Sequence, residues 1–212
     1  MDLVDLIEKR RFVGREFLVW LWFESELFEG RFEVEGFGAC EVWLEGQITL
    51  VQEKEQSRLK GAIPSAAPEA HEALRQGKLP TQARMRVTRG ELDFAFLFNT
   101  DALSLSGVKI PAQVKEEADE QFYERMYLVE ELEALFGALY GDFIALRLST
   151  AWDSDVVPAI RAWVRGEPVA DPEALRRLRK RVTPLGRAPR PHTMPPPAEA
   201  GAGEDDGARR VA

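Results

Sequence analysis

Hydrophobic positions near the start of the chain have helical spacing and then merge into a continuous apolar block. Leu3, Leu6 and Ile7 are spaced as on one side of a helix, and residues 17–23 are seven consecutive apolar residues after Gly14. Such a block is too short to cross a bilayer and too apolar for a helix with one buried side, so it is predicted to lie in the core. We expect a helix, a break at Gly14 and a second helix.

Alternation of apolar and polar residues replaces the helical spacing between residues 32 and 50. The alternation is interrupted at Glu45 and Gly46, which predicts short strands joined by tight turns. One more strand is expected before Pro64. A short helix is then expected over residues 68–77, with a proline in its first turn and a glycine past its end.

Two further alternating runs flank residues 89–90 and predict a β-hairpin. A two-residue turn at that point places Arg86 beside Asp93 on the neighbouring strand. For Arg84 and Arg86 an ion pair across the strands is therefore favoured over a contact with phosphate. A third strand is expected to end at Pro111.

The longest periodic segment covers residues 112–148, where apolar residues recur every three or four positions and predict one long amphipathic helix. Glu130 and Glu131 are adjacent and point away from each other, which favours a solvated face over acid chemistry. Three side chains widen the apolar face of this helix: Leu128, Leu135 and Tyr140. A face of this width can serve both a core and a homodimer.

These elements predict an α+β fold, in which an antiparallel sheet over residues 32–110 packs against residues 17–23 and against the long C-terminal amphipathic helix. The expected organisation is an α+β globular domain over residues 1–166, a short basic helical appendage over residues 167–183 and a disordered Pro-rich tail over residues 184–212.

The composition restricts the class of protein. Of the 212 residues, 45% are hydrophobic, which is enough for a core without stabilising links. Cys40 is the single cysteine and cannot form an intramolecular disulfide, and the first residues lack the pattern of a secretory signal, so we expect a cytoplasmic protein with no membrane partner. His71 and His192 lie far apart, so neither a metal nor a cofactor is expected, and His71 is interpreted as a solvated side chain rather than a catalytic base.

The sequence also argues against an enzyme. It contains no glycine-rich phosphate loop, no nucleophile elbow and no metalloprotease motif, and its serines have no flanking pattern of a catalytic site. We therefore expect a protein without catalytic residues.

Charge is distributed unevenly along the chain. The net charge is −8, yet residues 1–170 hold 19 basic against 30 acidic residues, and such a surface repels polyanions at long range. Between positions 176 and 190 there are seven basic residues and no acid: Arg176, Arg177, Arg179, Lys180, Arg181, Arg187 and Arg190. A cluster of this kind either holds phosphates through counterion release or docks on the acidic body, and both alternatives are open.

Three segments resemble the recombination-associated protein RdgC family of bacteria. The first is Gly-Arg-Glu-Phe-Leu at 14–18, continuing to Trp-Leu-Trp-Phe at 20–23. The second begins with Gly-Lys-Leu-Pro-Thr at 77–81 and runs through the predicted hairpin to residues 103–109, and the third is the helical segment 131–139.

The resemblance implies a nonenzymatic, sequence-independent DNA-binding protein that dimerises and restrains the RecA recombinase. In the best-known members the dimer is a closed ring around duplex DNA. Of the basic residues that face DNA in that ring, only Lys78 has a counterpart here. The N-terminal half of full-length members has no counterpart, so the resemblance does not extend to ring closure.

We therefore expect a cytoplasmic, nucleoid-associated protein that binds DNA without sequence preference in recombination or replication. Its expected DNA contacts are the seven basic residues between positions 176 and 190 together with Lys78, and its expected partners are DNA, a second copy and RecA. The alternative is an acidic protein–protein interaction adaptor with no affinity for nucleic acid.

Overall fold

A computed structural model describes residues 3–53, 55–112, 115 and 117–181. The α-helices in this part of the chain are α1 (Leu3–Leu27), α2 (Pro68–Arg75), α3 (Ala118–Arg147), α4 (Val157–Arg165) and α5 (Pro172–Arg181). The strands are β1 (Arg31–Val34), β2 (Gly38–Gln52), β3 (Glu55–Gly61), β4 (Leu79–Arg89), β5 (Leu92–Asn99) and β6 (Ser104–Lys109). A 3-10 turn covers Pro64–Ala66, and one π-helical turn covers Trp152–Val156. The predicted α+β class is confirmed.

All strands belong to one antiparallel sheet with the order β1-β2-β4-β5-β6, and β3 pairs with β2 on the same side as β1. The turn predicted at Glu45 and Gly46 is wrong, because β2 continues through both residues for a total of 15 residues. The pairing of β2 with β4 is irregular between Leu44 and Ile48, where β2 holds extra residues. A glycine within an alternating pattern is typical of a β-bulge as well as of a turn.

The predicted hairpin is present as β4 and β5, but its turn lies one residue later. Gly90 and Glu91 form the turn, with a φ angle of +58° at Gly90, so Arg86 stands opposite Ala95 instead of Asp93. The register differs from the predicted one by two residues, and an even shift leaves every side chain on its predicted face. The predicted ion pair therefore forms on the diagonal, with Arg86 Nη2 at 2.8 Å from Asp93 Oδ2.

The first helix is continuous, so the break predicted at Gly14 is wrong. A Cβ atom at Gly14 would lie 2.1 Å from the carbonyl oxygen of Thr100, which shows that the glycine allows α1 to approach the loop after β5. Residues 17–23 are buried apart from Val19, which is half-buried, and their place in the core is confirmed. The Phe17 ring is the centre of this core and lies 5.7 Å from the ring of Phe98.

The long helix is α3, which begins six residues after the predicted start at residue 112 and is followed by α4 and α5. Side chains keep Lys115 outside the helix, because Gln121 donates a hydrogen bond to its carbonyl oxygen and Glu124 accepts one from its N–H group. Two of the side chains that widen the apolar face are buried in the core, and the third is half-buried against it: Leu128, Leu135 and Tyr140. Those side chains therefore contribute to the core of one chain.

Two side chains predicted to be solvated lie inside the protein. His71 is 18% exposed, its Nε2 atom lies 3.2 Å from a carboxylate oxygen of Glu26, and its ring packs 5.0 Å from that of Trp163. Glu131 is 1% exposed and accepts a hydrogen bond from Arg89 of β4. In both cases the polar partner is distant in sequence, and the second carboxylate oxygen of Glu131, Oε2, has no hydrogen-bond partner among the described residues. The local pattern therefore does not indicate burial.

Helix α5 lies within residues 167–183, for which a short basic helix is predicted, and the predicted disordered tail over residues 184–212 lies outside the described residues. No helix among the described residues is long and apolar enough to cross a membrane.

Candidate nucleic-acid interface

The middle of the predicted basic cluster is docked on the body of the protein. The Arg179 side chain is 8% exposed, and its Nη1 atom lies 3.2 Å from Oε2 of the buried Glu24 in α1. Its Nη2 atom donates a hydrogen bond of 3.1 Å to the carbonyl oxygen of Glu33, and its guanidinium lies 4.8 Å from the centre of the Phe32 ring. Arg179 cannot contact a phosphate while α5 keeps this position.

The neighbouring arginines of α5 are exposed but also have partners. Arg176 lies 3.7 Å from a carboxylate oxygen of Glu173, and its guanidinium lies 5.6 Å from the centre of the Phe28 ring. Arg177 lies 3.9 Å from a carboxylate oxygen of Asp171. The acids at the start of α5 therefore neutralise part of the charge near its end.

Lys78 lies on a different part of the molecule. Its Nζ atom donates a hydrogen bond of 3.0 Å to the Ser57 hydroxyl and lies 3.4 Å from a carboxylate oxygen of Glu55, and the side chain is only 12% exposed. For the remaining predicted residues no side chain is described: Lys180, Arg181, Arg187 and Arg190. Lys78 contacts β3 whereas Arg179 contacts α1 and β1, so the predicted residues with described side chains do not share one surface.

The region beneath α5 contains titratable groups that burial has shifted. Burial raises the pKa of Glu24 to about 7, although the neighbouring Arg179 lowers it. Burial likewise raises the pKa of Asp142 to about 6 and that of the Cys40 thiol to about 11. Cys40 is therefore an uncharged thiol at neutral pH, and Glu24 changes its charge near neutrality.

Helices α1 and α3 pack against one face of the sheet. On the packed face Phe17 of α1 and Phe136 of α3 contact Phe98 of β5, at ring distances of 5.7 Å and 5.0 Å. In β4 and β5 the side chains that alternate with this buried set are exposed or half-buried. We call the second side the open face, and its central row across the sheet is Trp43, Arg86, Ala95 and Lys109.

The open face is more basic than the protein as a whole. Its basic strand residues are Arg31, Arg58, Lys60, Arg84, Arg86 and Lys109. Its acidic strand residues are Glu33, Glu41, Glu45 and Asp93. Residues 1–170 have far more acids than bases, so this face is a local exception to the negative field of the body.

The cations of the open face also differ in what they contact. Most lysine and arginine side chains in the described part of the chain lie within 4.0 Å of a carboxylate oxygen. Among the side chains that are described, those without such a partner are Arg58, Lys60, Arg84, Lys109, Arg125 and Arg161. The first four are all on the open face, and one neutral contact there joins Arg58 Nη2 to Gln47 Oε1 at 2.6 Å.

An aromatic side chain lies in the middle of these cations. Trp43 stands opposite Arg86 and is half-buried. One edge of its indole packs on Gly30, where a Cβ atom would lie 2.4 Å from Trp43 Cε2. The close approach to Gly30 fixes the ring on the sheet, and an immobilised indole among cations can stack on a nucleobase.

Within the described residues, no group of three or more His, Cys, Asp or Glu side chains could hold a metal ion. The open face carries cations, carboxylates, amides, hydroxyls and one indole. This chemistry is suited to reversible contacts with phosphates and bases.

Comparison of the chain with family models, with curated proteins and with solved structures gives no match. The resemblance to the RdgC family therefore rests on the three segments quoted above. Two of those segments lie largely in the core, namely residues 17–23 in α1 and residues 131–139 in α3.

Sequence reasoning missed the open face because its cations are dispersed along the chain. Arg58 and Lys109 are 51 positions apart, and each looks like an ordinary polar residue of an alternating strand. One signal of the open face is present in the sequence. Arg84 occupies a polar position of a predicted strand, and the residue predicted to lie opposite it on the neighbouring strand is not an acid. Only the order of the strands places these residues on one surface.

Proposed function

We propose that this chain binds nucleic acid without sequence preference through the open face of its sheet. The observation that carries the proposal is the set of four cations without a carboxylate partner in the described residues: Arg58, Lys60, Arg84 and Lys109. Elsewhere most basic side chains pair with the acids of the protein itself. A cation without such a partner keeps its full charge for an external phosphate, and binding releases counterions.

The dimensions of the open face suit a polyanionic strand. Neighbouring strands lie about 4.8 Å apart, so the path from β3 through β2, β4 and β5 to β6 is about 19 Å across. Lys60 and Lys109 stand at the two ends of this path, and Arg84 and Trp43 lie between them. Contacts from these lysine and arginine side chains to the phosphates of a nucleic acid would not depend on its bases. Such contacts agree with binding that is independent of sequence.

In this proposal α5 has a secondary role, because Arg179 is engaged with Glu24. A role in recombination or replication, a second copy as partner and an effect on RecA are proposed on the resemblance alone. The adaptor function remains the alternative, and it requires that nucleic acid is not bound at all.

The test compares two variants of the full chain that each lose four positive charges. The first replaces Arg58, Lys60, Arg84 and Lys109 by glutamine, and the second replaces Arg176, Arg177, Lys180 and Arg181. Affinity for labelled single-stranded and double-stranded DNA of arbitrary sequence is measured by fluorescence anisotropy at several salt concentrations. We expect the first variant to bind about 10- to 100-fold more weakly, with a salt slope lower by about 3, since each lost phosphate contact removes about 0.7 to 0.9.

The matched change in net charge makes the comparison decisive. A similar loss in both variants would indicate a general effect of charge and would contradict a specific role of the open face. A loss confined to the second variant would assign binding to α5, as the sequence predicted. Absence of binding by the wild-type chain at low salt would leave the adaptor function.

A further inference from the structure

The N-terminal half of α3 presents an apolar surface that nothing in the described chain covers. Phe122 is 58% exposed, Tyr123 is 69% exposed and Met126 is 46% exposed. Phe122 and Met126 line a shallow groove together with Arg125, Val129 and Glu130. Two large aromatic side chains and a methionine on one helical segment form a patch of the kind that usually binds another polypeptide. We call it the α3 patch, comprising Phe122, Tyr123, Arg125, Met126, Val129 and Glu130.

The charges around the α3 patch indicate which kind of segment can bind there. Helical spacing places Asp119, Glu130 and Glu133 on or beside the patch, against one basic residue of the groove, Arg125. All three carboxylates are on exposed residues. The occupant is therefore expected to combine apolar groups with positive charge.

A second copy of the same helix does not meet this requirement. Antiparallel pairing of two α3 patches would bring the carboxylates of both helices together, with only Arg125 of each copy to offset them. Like charges facing each other across helices are destabilising. The surfaces are therefore poorly suited to pair with themselves.

We infer that the α3 patch is a docking site for residues 182–197 of the same chain. This segment lies outside the described residues and has the required composition. It contains Arg187 and Arg190, no acid, and the apolar residues Val182, Leu185 and Met194. Its six prolines are Pro184, Pro189, Pro191, Pro195, Pro196 and Pro197.

Proline-rich segments suit grooves lined by aromatic side chains. Proline restricts the backbone to an extended helix before binding, so less conformational entropy is lost on docking. The rings of Phe122 and Tyr123 provide flat apolar surfaces for the proline rings. The arginines between the prolines can then pair with Glu130 and its acidic neighbours.

The segment is long enough to reach the patch. Helix α5 packs against α3 and ends at Arg181, two residues after Arg179, whose charge acts on Asp142 in the C-terminal part of α3. From Asp142 back to Met126 is 16 residues, or about 24 Å along a helix. Residues 182–190 span up to about 30 Å when extended.

The test uses the full chain with Cys40 replaced by alanine and a nitroxide attached at Ala188→Cys. Amide signals of residues 119–130 are compared between the oxidised and the reduced label. We expect strong loss of intensity for these residues and a much smaller loss with the label at Ala208→Cys. The loss is expected to disappear when Phe122→Ser and Tyr123→Ser are added, since both side chains are exposed and their removal leaves the core intact.

Each alternative gives a different result. Equal broadening with and without the patch substitutions would show that the segment passes near α3 without binding it, which overturns the inference. A further sample mixes spin-labelled chains with separate isotope-labelled chains. If signals broaden only in that sample, the α3 patch binds a second copy, and the inference is overturned. A failure of nucleic-acid binding would leave this docking site unaffected, because it uses neither the open face nor its cations.

Discussion

The two basic surfaces of this protein differ in what their cations touch. In α5 the arginines lie close together in sequence, yet Arg179 is buried and pairs with Glu24. Arg176 and Arg177 pair with acids at the start of the same helical segment, Glu173 and Asp171. On the open face the cations are far apart in sequence, and four of them have no carboxylate within reach among the described residues. The contrast shows that clustering along the chain is a poor measure of charge available to a ligand, because acids beside the cluster or beneath it can neutralise that charge.

The largest expected difference between the two surfaces is in stability. Arg179→Ala leaves Glu24 buried without its partner, and breaking a buried pair costs about 3 to 5 kcal/mol. Lys109→Ala removes an exposed side chain and is expected to change the free energy of unfolding by less than about 0.5 kcal/mol. Urea denaturation at pH 8 measures the free energy of unfolding of both variants. Similar values for the two variants would contradict the buried docking of α5.

The second difference is in the response to pH. The pKa of Glu24 is about 7 in the folded chain against an ordinary value of 4.5, so between these values the folded state binds more protons than the unfolded state. The free energy of unfolding is therefore expected to fall as pH rises through this window, by about 3 kcal/mol at 1.36 kcal/mol per pH unit. Asp142, with a raised pKa of about 6, acts in the same direction.

The Glu24→Gln variant tests this assignment, because it should flatten the dependence measured by urea denaturation between pH 5 and pH 8. The matched Asp142→Asn variant should remove a separate part of the pH dependence of the free energy of unfolding. An unchanged slope in Glu24→Gln would show that Glu24 does not titrate in this range.

The third expected effect concerns the aromatic residue of the open face. If a base stacks on Trp43, Trp43→Leu is expected to weaken binding of single-stranded DNA by about 1 to 3 kcal/mol. Binding of duplex DNA, whose bases are already stacked, should change less. Anisotropy titrations with both ligands measure the difference, and circular dichroism of the variant checks that the sheet is intact. An equal change for both ligands would contradict stacking.

The smallest expected effect separates a cation with a partner from a cation without one. Lys60→Gln should lower the salt slope of binding by about 0.7 to 0.9, the value for one phosphate contact. Arg86→Gln should lower it by less, since Arg86 is already held by Asp93 at 2.8 Å. Titration of both variants at several salt concentrations gives the two slopes. A larger effect at Arg86 would show that its ion pair opens when nucleic acid binds.

Local patterns predicted most of the elements of the fold. Alternation identified the strands, helical spacing identified α3, and a proline and a glycine at its two ends identified α2. The continuous apolar run identified the core position of residues 17–23. The errors occur where a glycine has more than one use: Gly14 allows close approach to Thr100, and Gly46 belongs to an irregular part of β2. Their roles depend on contacts with residues distant in sequence, which a single sequence does not reveal.

The candidate site was less predictable than the fold. The sequence predicts the basic cluster of α5 and allows it either to hold phosphates or to dock on the body, but the docking partner of Arg179 is Glu24, which lies 155 positions away. The same limitation hid Glu131 and His71, whose polar partners come from other elements. For the open face, the register of the four strand pairings from β3 through β2, β4 and β5 to β6 was needed. A two-residue error in the hairpin register already changes which charges are adjacent.

The length of β2 has a consequence for local opening of the sheet. This strand is paired along one side with β4 and along the other with β1 and then β3, so its amide hydrogens should exchange with solvent only when the whole domain unfolds. Strands β3 and β6 lie at the margins and should exchange sooner. Arg58 lies on β3 and Lys109 on β6, with β2, β4 and β5 between them. A ligand that contacts both residues would therefore slow amide hydrogen exchange in both marginal strands at once.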